Sequence, residues 1–506
     1  MTVARAYSAA VVGLEGRVVV VETAVGAGLP GLTIVGLPDA AVKESRERIR
    51  AALRHVGFPL PGKNVVVNLA PADLPKTGSA LDLPAALSIL AANGDIPADR
   101  LAGVLTFGEL SLDGSVRPVR GVLCIAETAA AEGKAEVLVA PENAAEAAAV
   151  AGLRVLPTPH LGAAIAHLAG RELLAPYDEE PAAAPPRSET CDLHEVRGQA
   201  VAKRALEIAA AGGHNLLLTG PPGAGKTMLA RRLPGLMPPL SREEALEVTR
   251  VFSVAGRLPG GTALVTERPF RSPHHGASAA ALTGGGSDPR PGEFSLAHHG
   301  VLFLDELPEF RRDVLESLRE PLEEGVVSVA RVAGARSFPA RFLLVAAMNP
   351  CPCGHRGDPK KKCVCTEKDV QRYVRKISGP LLDRIDLTVE VAAVPAADLH
   401  ADGDGEPSAA VRGRVAAARK RQLERTGDPR VPNAALPARL ARTHCRPDPE
   451  ARRLLEQAVD RFGLTARGHQ RVLRVARTIA DLDGRSEVGV AHVAEALRYR
   501  RTGTAP

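Results

Sequence analysis

The sequence predicts a multidomain α/β protein, and three observations carry that prediction. The first is length: 506 residues exceed what one hydrophobic core organises, so about three domains are expected. The second is the apolar run Leu216-Leu217-Leu218, which passes into Gly220-Pro221-Pro222-Gly223-Ala224-Gly225-Lys226-Thr227 and then into a helical pattern from Met228 to Leu233. Strand, glycine-rich turn and helix in that order make a phosphate-binding loop. The third is punctuation. Residues 171–191 gather Pro176, Pro181, Ala182-Ala183-Ala184-Pro185-Pro186 and several acids, the pattern of an exposed linker, and Ala401-Asp402-Gly403-Asp404-Gly405-Glu406-Pro407 makes a second break. The expected units are therefore 1–170, the linker, a nucleotide core over 192–400 and a basic, helix-patterned unit over 401–506.

In a turn of this kind the backbone N–H groups and the helix N-terminus face phosphates. Lys226 brings a positive charge to the β and γ oxygens, and Thr227 offers its hydroxyl to Mg²⁺. ATP and Mg²⁺ are the expected cofactors; the competing reading is a Gly/Pro loop that holds no ligand. About 80 residues later Val301-Leu302-Phe303-Leu304 ends in Asp305-Glu306. There Asp305 suits the magnesium shell and Glu306 suits polarisation of the attacking water, although an acidic pair at a strand end is also a common solvated terminus.

Three further residues are parts expected of an AAA+ motor. Phe342-Leu343-Leu344-Val345-Ala346-Ala347-Met348 is a buried strand that ends at Asn349, a sensor 1 candidate lying between the two strands above. Ser378-Gly379-Pro380-Leu381-Leu382-Asp383-Arg384-Ile385-Asp386 places Arg384 where a neighbouring subunit's phosphate can meet it, as an arginine finger. A salt bridge within the chain to Asp383 or Asp386 is the alternative. Leu464-Thr465-Ala466-Arg467-Gly468 opens a helix, with Arg467 as the sensor 2 candidate.

Seven cysteines, odd in number and clustered, argue against a secreted disulfide framework and for a reducing compartment. Four of them form two close pairs, Cys351-Pro352-Cys353 and Cys363-Val364-Cys365. Four thiolates suit tetrahedral Zn²⁺, with Lys360-Lys361-Lys362 between them stabilising thiolate charge or meeting DNA. An iron–sulfur cluster and unliganded thiols remain open, and His355 is a possible substitute ligand. Because Asn349 lies just before Cys351, a metal here would brace the loop beside the nucleotide.

No stretch approaches the roughly 18 apolar residues of a membrane span, and Arg5, Glu15, Arg17 and Glu22 interrupt any signal-like block. A cytoplasmic protein without a membrane partner is expected. The net charge of +6 is uneven, since residues 406–506 hold 21 Lys+Arg against 11 Asp+Glu. That excess suits a polyanion, or else a solvated arginine-rich face. Aromatics are only 3% and Trp is absent, so any nucleic-acid contact is expected to be electrostatic and salt-sensitive rather than stacked.

Residues 1–170 begin with the strand patterns Val18-Val19-Val20-Val21 and Thr33-Ile34-Val35, followed by helical patterns at Ala40 to Leu53 and Ala80 to Ala92, an α+β layer fold. Pro75-Lys76-Thr77-Gly78-Ser79-Ala80 and Gly108-Glu109-Leu110-Ser111-Leu112-Asp113-Gly114-Ser115-Val116-Arg117-Pro118-Val119-Arg120-Gly121 resemble the proteolytic domain of Lon-type proteases. The resemblance places Ser79 at that family's nucleophile, but its partner lysine falls near Leu123, which cannot deprotonate a serine. A Lon-like fold that is not a peptidase, with a structural or DNA-guiding role, is the expectation; a peptidase would need Ser79 to act with another base.

With Arg268-Pro269-Phe270-Arg271-Ser272-Pro273-His274-His275 and Gly292-Glu293-Phe294-Ser295-Leu296-Ala297-His298-His299-Gly300 added, the whole chain is similar to the YifB/ComM family of magnesium-chelatase-like AAA+ ATPases. The resemblance implies a Lon-protease-like α+β N-terminal domain, an AAA+ P-loop NTPase α/β core with a four-cysteine insert at 351–365, and a C-terminal helical lid. It also implies a ring, in the first instance a homo-hexamer. For the ComM members it implies a DNA helicase that drives branch migration in homologous recombination and natural transformation, so the implied partners are branched, single- or double-stranded DNA and a recombination protein. A chelatase-type remodelling ATPase acting on a protein, and a nucleotide-gated DNA-binding scaffold, are the other two readings.

In related chelatase and MCM motors, insertions reach into the ring pore. The segment between Val251 and Gly300 is expected to project in that way, carrying Arg268, Arg271, His274, His275, His298 and His299. A second hairpin, Val326 to Arg336, offers Arg331 and Arg336 to phosphates. The two His pairs are alternatively metal ligands, though neither has the i,i+4 helical spacing.

Overall fold

The computed structural model describes residues 2–37, 40–178, 191–286, 289–331, 334–357, 361–392 and 405–500. Most of the expected linker, and residues 401–404 of the second break, lie outside them.

Alternating burial along the first strands builds the N-terminal unit. In chain order it runs β1 (Thr2–Val12), β2 (Glu15–Gly26), β3 (Gly31–Val35), α1 (Ala40–His55), β4 (Asn64–Ala70), α2 (Asp82–Asn93), β5 (Val104–Thr106), β6 (Glu109–Leu110), β7 (Val116–Arg117), α3 (Val122–Ala131), β8 (Glu136–Val139), α4 (Ala144–Ala148), β9 (Arg154–Pro157) and α5 (Leu161–Leu168). Its main sheet has the order β3-β4-β2-β1-β5-β8-β9. β1 and β2 form a long hairpin, with Thr2 opposite Val25 and Val12 opposite Glu15. On β2 the side chains of Val19, Val21 and Val25 face the core while their neighbours are partly exposed, the period-2 signature of a half-buried strand. The other half, β1-β5-β8-β9, is parallel, so the sheet is mixed.

The central unit follows with α6 (Ala200–Gly212), β10 (Leu216–Thr219), α7 (Lys226–Leu236), α8 (Arg242–Val254), β11 (Phe270–Arg271), α9 (Ala279–Thr283), β12 (Gly284–Gly285), β13 (Arg290–Pro291), α10 (Glu293–Leu296), β14 (Val301–Leu304), α11 (Arg312–Ser317), α12 (Arg319–Glu324), β15 (Val326–Arg331), β16 (Gly334–Pro339), β17 (Leu343–Met348), α13 (Glu367–Val374), α14 (Gly379–Leu382) and β18 (Leu387–Glu390). Five parallel strands lie in the order β11-β14-β17-β10-β18. Every residue of β14 and β17 is buried, as expected when helices cover both faces of a parallel sheet. Removing a ring such as that of Phe303, which has no exposed surface, would cost about 3–5 kcal/mol.

The chain closes with α15 (Ser408–Thr426), α16 (Ala438–His444), α17 (Pro449–Phe462), α18 (Ala466–Leu482) and α19 (Val490–Arg498). These helices do not form a separate body. Val411, Val415, Leu455, Val472, Val475 and Ile479 join Leu216, Leu218, Leu229 and Val345 in one apolar cluster beneath the sheet. The helical lid therefore shares its core with the phosphate-binding strand and helix.

The N-terminal unit grips the central one through α8. Glu127 on α3 takes a bidentate bond from Arg250, at 2.7 and 3.1 Å. Buried Glu146 on α4 accepts from Ser253 and from the backbone of Leu123. Among the described residues no helix is long and apolar enough to cross a membrane.

Candidate nucleotide site and its cysteine brace

The parallel order places three strand ends side by side: β10 carries the phosphate loop, β14 ends at Asp305, and β17, which ends at Asn349, lies between them. Gly220 is required where the loop leaves β10, because a Cβ there would stand 2.2 Å from the carbonyl oxygen of Val391. Gly223 and Gly225 take φ of 77° and 89°, a left-handed path that turns the loop into the N-terminus of α7. Pro221, Pro222 and Ala224 complete the turn.

Lys226 is buried, and its ammonium donates to the carbonyls of Gly220 (2.7 Å) and Pro221 (2.9 Å) and to Oδ1 of Asn349 (3.2 Å). Burial lowers its pKa, with Asp305 and Glu306 pulling the other way. Thr227 donates its hydroxyl to Oδ2 of Asp305 at 2.8 Å. A hydroxyl beside a carboxylate is the hard-oxygen set that Mg²⁺ prefers. The cradle, the cation and this oxygen pair fit a nucleoside triphosphate with magnesium.

Glu306 adopts φ 53°, which aims its carboxylate out of the strand line. There His275 Nδ1 stands 3.3 Å from Oε2, and Asp305 Oδ1 accepts from the Glu306 N–H at 2.9 Å. The His275 contact joins the turn after β11 to the acid after β14, a neighbour relation visible only once the two strands are paired.

Arg384 departs from both sequence-level alternatives for a cis partner. Neither Asp383 nor Asp386 pairs with it. Its Nη2 meets Glu323 in the last turn of α12, and its Nη1 donates to Pro380 O at 2.5 Å. Asp386 instead accepts from the backbone of Asn215 at 3.1 Å and sits 3.6 Å from both His214 and Arg471. Arg384 is largely buried, and burial lowers its pKa, with Arg319 and Arg467 adding repulsion. Arg467 is exposed in the first turn of α18, where Thr465 caps the helix. Within one chain, neither arginine hydrogen-bonds Lys226, Asp305 or Glu306 among the described residues.

The four cysteines converge. Cys351 Sγ lies 3.4 Å from Cys353 Sγ and 3.7 Å from Cys363 Sγ; Cys353 and Cys363 are 3.6 Å apart, and Cys365 Sγ accepts from the Cys353 N–H at 3.4 Å. A tetrahedron of ~2.3 Å zinc–sulfur bonds spaces its sulfurs at about 3.8 Å, so the cluster fits zinc. Backbone N–H groups of His355 and Val364 hold the Cys353 thiol down to about 6, while the neighbouring thiols push those of Cys363 and Cys365 up, so the four sulfurs do not all ionise without a cation among them. The loop presses on the phosphate site, since a Cβ on Gly354 would come 2.8 Å from Pro222. Tyr373 on α13, buried, takes a hydrogen bond from the backbone of Asn349. Lys360 lies outside the described residues.

Four of the six side chains expected on a projecting segment before β14 are tied into the fold. Arg268 donates to Pro238 O and His299 O, both at 2.6 Å, and pairs with Glu244; Arg271 makes two 2.7 Å bonds to Glu293. His298 is buried, and Glu247 stands 3.0 Å from its Nε2 and 2.7 Å from that of His299. The three side chains are close enough to share a cation. However, Nδ1 of His298 accepts from the Arg341 N–H at 3.1 Å, so Nε2 of the neutral ring carries the proton and has no lone pair for a metal. These residues clamp α8 to the root of β14; they are not a metal centre. Arg336, on the β15–β16 hairpin, lies against Gly13 in the β1–β2 turn, and the side chain of Arg331 is outside the described set.

In the N-terminal unit Ser79 donates to Glu109, while Lys76, fully buried, donates to Pro71 O. Leu123 is buried at the start of α3. No lysine meets the serine among the described residues.

Comparison with known proteins matches three successive segments to magnesium chelatase. The family described as "Magnesium chelatase, subunit ChlI" covers residues 192–399, "Subunit ChlI of Mg-chelatase" covers 21–143, and "Magnesium chelatase, subunit ChlI C-terminal" covers 405–500. An uncharacterized protein of Mycobacterium tuberculosis is 47% identical over 99% of both chains. YifB of Escherichia coli is 45% identical over 99% of this chain and 97% of its own. Competence protein ComM of Haemophilus influenzae is 45% identical over 99% of this chain and 98% of its own. Identity of this order along the entire length, over a phosphate loop, acidic strand end and sensor strand arranged as described, makes the chain a member of the YifB/ComM family of magnesium-chelatase-like AAA+ ATPases.

Proposed function

We propose that the protein is an ATP-driven DNA motor that assembles as a ring, in the first instance a homo-hexamer, and moves branch points in homologous recombination, natural transformation included. The observation that carries the hydrolytic half is the convergence of Lys226, Thr227, Asp305 and Asn349, with half-exposed Glu306 beside them against His275. That set suits a motor that turns over better than a scaffold that only binds nucleotide. ATP would sit between subunits, held by Lys226 and Thr227 of one and met by Arg384 of the next, with Arg467 closing from the lid. The DNA half is supported by the kinship with a protein named for competence and by the basic 406–506 segment.

The N-terminal unit serves in this reading as a Lon-like structural or DNA-guiding element, since its serine faces a carboxylate and its candidate base position is an apolar leucine. Zinc, held by Cys351, Cys353, Cys363 and Cys365, would brace the Asn349 loop. A chelatase-type remodeller acting on a protein partner, which the same ATPase core could drive, is the second reading, favoured by the family matches along the chain. Strand separation on a labelled synthetic four-way junction decides between them. ATP-dependent conversion of the junction into two duplexes supports the motor, and an intact junction under turnover supports the remodeller.

A further inference from the structure

We propose that the outward face of α13, together with the segment that follows Glu306, forms a cleft that binds a run of phosphate groups on a nucleic-acid strand. The cleft encloses about 680 Å³ between Pro308-Glu309-Phe310 and α13, and Arg312, Lys368, Arg372, Arg375 and Lys376 line it. All five cations are exposed. Glu309, which Lys376 engages at 3.2 Å, is the one carboxylate in the lining.

The helix is built for this division. Lys368, Gln371, Arg372 and Arg375 recur at i, i+3, i+4 and i+7, so they share one face, while Val370, Tyr373 and Ile377 are buried on the other. Like charges one turn apart, such as Lys368 with Arg372, destabilise a helix. Among the described residues no carboxylate forms an ion pair with Lys368, Arg372 or Arg375; Asp369, three residues before Arg372, feels its charge but is held in the helix cap by Thr366, so the fold offsets the repulsion only in part. A string of phosphates supplies the rest, and arginine forks match phosphate oxygens bidentately.

The cleft is also joined to the nucleotide site on both walls. One wall starts three residues after Asp305. The other, α13, is fixed at its start by the Thr366–Asp369 capping box directly after Cys365 and at its end by Tyr373, bonded to the backbone of Asn349. An anion that draws the two walls together would act on Glu306 and Asn349 at once. This coupling rests on the motor reading; the anion site itself does not.

The test uses the full-length protein with its phosphate loop saturated by a non-hydrolysable ATP analogue. Binding of a fluorescein-labelled 30-nucleotide single strand is followed by anisotropy across a KCl series, with inorganic tripolyphosphate as competitor. The Arg372→Ala/Arg375→Ala variant is expected to bind at least about tenfold more weakly and to lose roughly 1.4 from the slope of log K against log salt, about 0.7 for each phosphate contact on a single strand. The Arg372→Lys/Arg375→Lys variant, which keeps the charge, is expected to retain the slope, and this separates lost contacts from a misfolded helix. Equal affinity and slope in wild type and the alanine variant overturn the cleft while leaving the motor reading intact. Cleft-dependent binding of tripolyphosphate without any DNA binding keeps the phosphate site and removes the motor reading. Binding of neither anion overturns the proposal.

Discussion

Replacing Arg384 with alanine tests the assignment of this residue to a neighbour's phosphate, and the structure sets the scale of the effect. In its own chain the guanidinium pairs with Glu323, whose side chain is 53% exposed. Breaking a pair with one solvated member costs on the order of 1 kcal/mol or less. Arg384→Ala should therefore leave thermal unfolding nearly unchanged, and the wild-type arginine can leave Glu323 at similarly small cost. The guanidinium is desolvated and stands near Arg319 and Arg467, so a phosphate arriving from outside the chain would relieve both penalties. An arginine finger contributes about 10³–10⁵ in turnover, so Arg384→Ala should hydrolyse ATP at least about a thousandfold more slowly. Lys226→Ala should be comparably inert, for loss of its phosphate contact. The decisive assay mixes the two inactive variants. If the finger works in trans, the Arg384→Ala subunit keeps an intact phosphate loop and the Lys226→Ala subunit lends it an arginine. Random assembly then restores about a quarter of the competent interfaces, and activity rises far above either variant alone. A mixture as inactive as its components refutes the assignment.

Other consequences are open to direct measurement. Removal of the proposed zinc from the Cys351–Cys365 cluster by a chelator should lower kcat for ATP while circular dichroism keeps its helical signal, because the cysteine loop approaches Pro222 and reaches Asn349 through α13; loss of helix in step with loss of activity would contradict it. Burial lowers the pKa of His298 from 6.5 to about 4. The unfolded chain therefore takes up a proton between those values that the folded chain does not, so this contribution is fully present above pH 6.5 and is lost as the pH falls toward 4. The shift corresponds to about 3 kcal/mol. The destabilisation of wild type between pH 7 and 4, read as a falling denaturation midpoint, should be smaller in His298→Asn, which keeps an acceptor for the Arg341 N–H. An active-site serine probe should fail to label Ser79, and labelling abolished by Ser79→Ala would revive a peptidase activity.

What the sequence revealed and what it hid follow from the range of the interactions. The phosphate loop, the Asp305-Glu306 strand end and the Asn349 strand were legible because each is a local pattern on a single strand, and the parallel sheet then places them together. The sharing of one core between the C-terminal helices and β10 was hidden, since Val415 and Leu218 are apolar for reasons that sequence cannot connect. The glycine-, arginine- and histidine-rich segment before β14 read as a projecting insert, but its polar residues close a clamp onto α8 through Glu244, Glu247 and Arg341, partners from separate parts of the chain. His275 was visible as a residue but not as the partner of Glu306, and Glu323 gave no sign of its pairing with Arg384. The cationic face of α13 was written in the spacing of Lys368, Arg372 and Arg375, and only the position of the helix beside Phe310 turns that face into one wall of a cleft.

The central claim is that hydrolysis at this site is coupled to branched DNA. The most direct measurement is the steady-state ATPase rate with and without a synthetic four-way junction, for wild type and for Glu306→Gln. Glu306 is half exposed with a single ion-pair contact among the described residues, so this substitution should leave the fold and nucleotide binding in place while lowering turnover by about 10²–10³. The account predicts wild-type hydrolysis stimulated by the junction and the loss of that stimulated rate in the variant. Robust hydrolysis in wild type that is indifferent to every DNA offered would contradict it and move the protein-remodelling reading to first place.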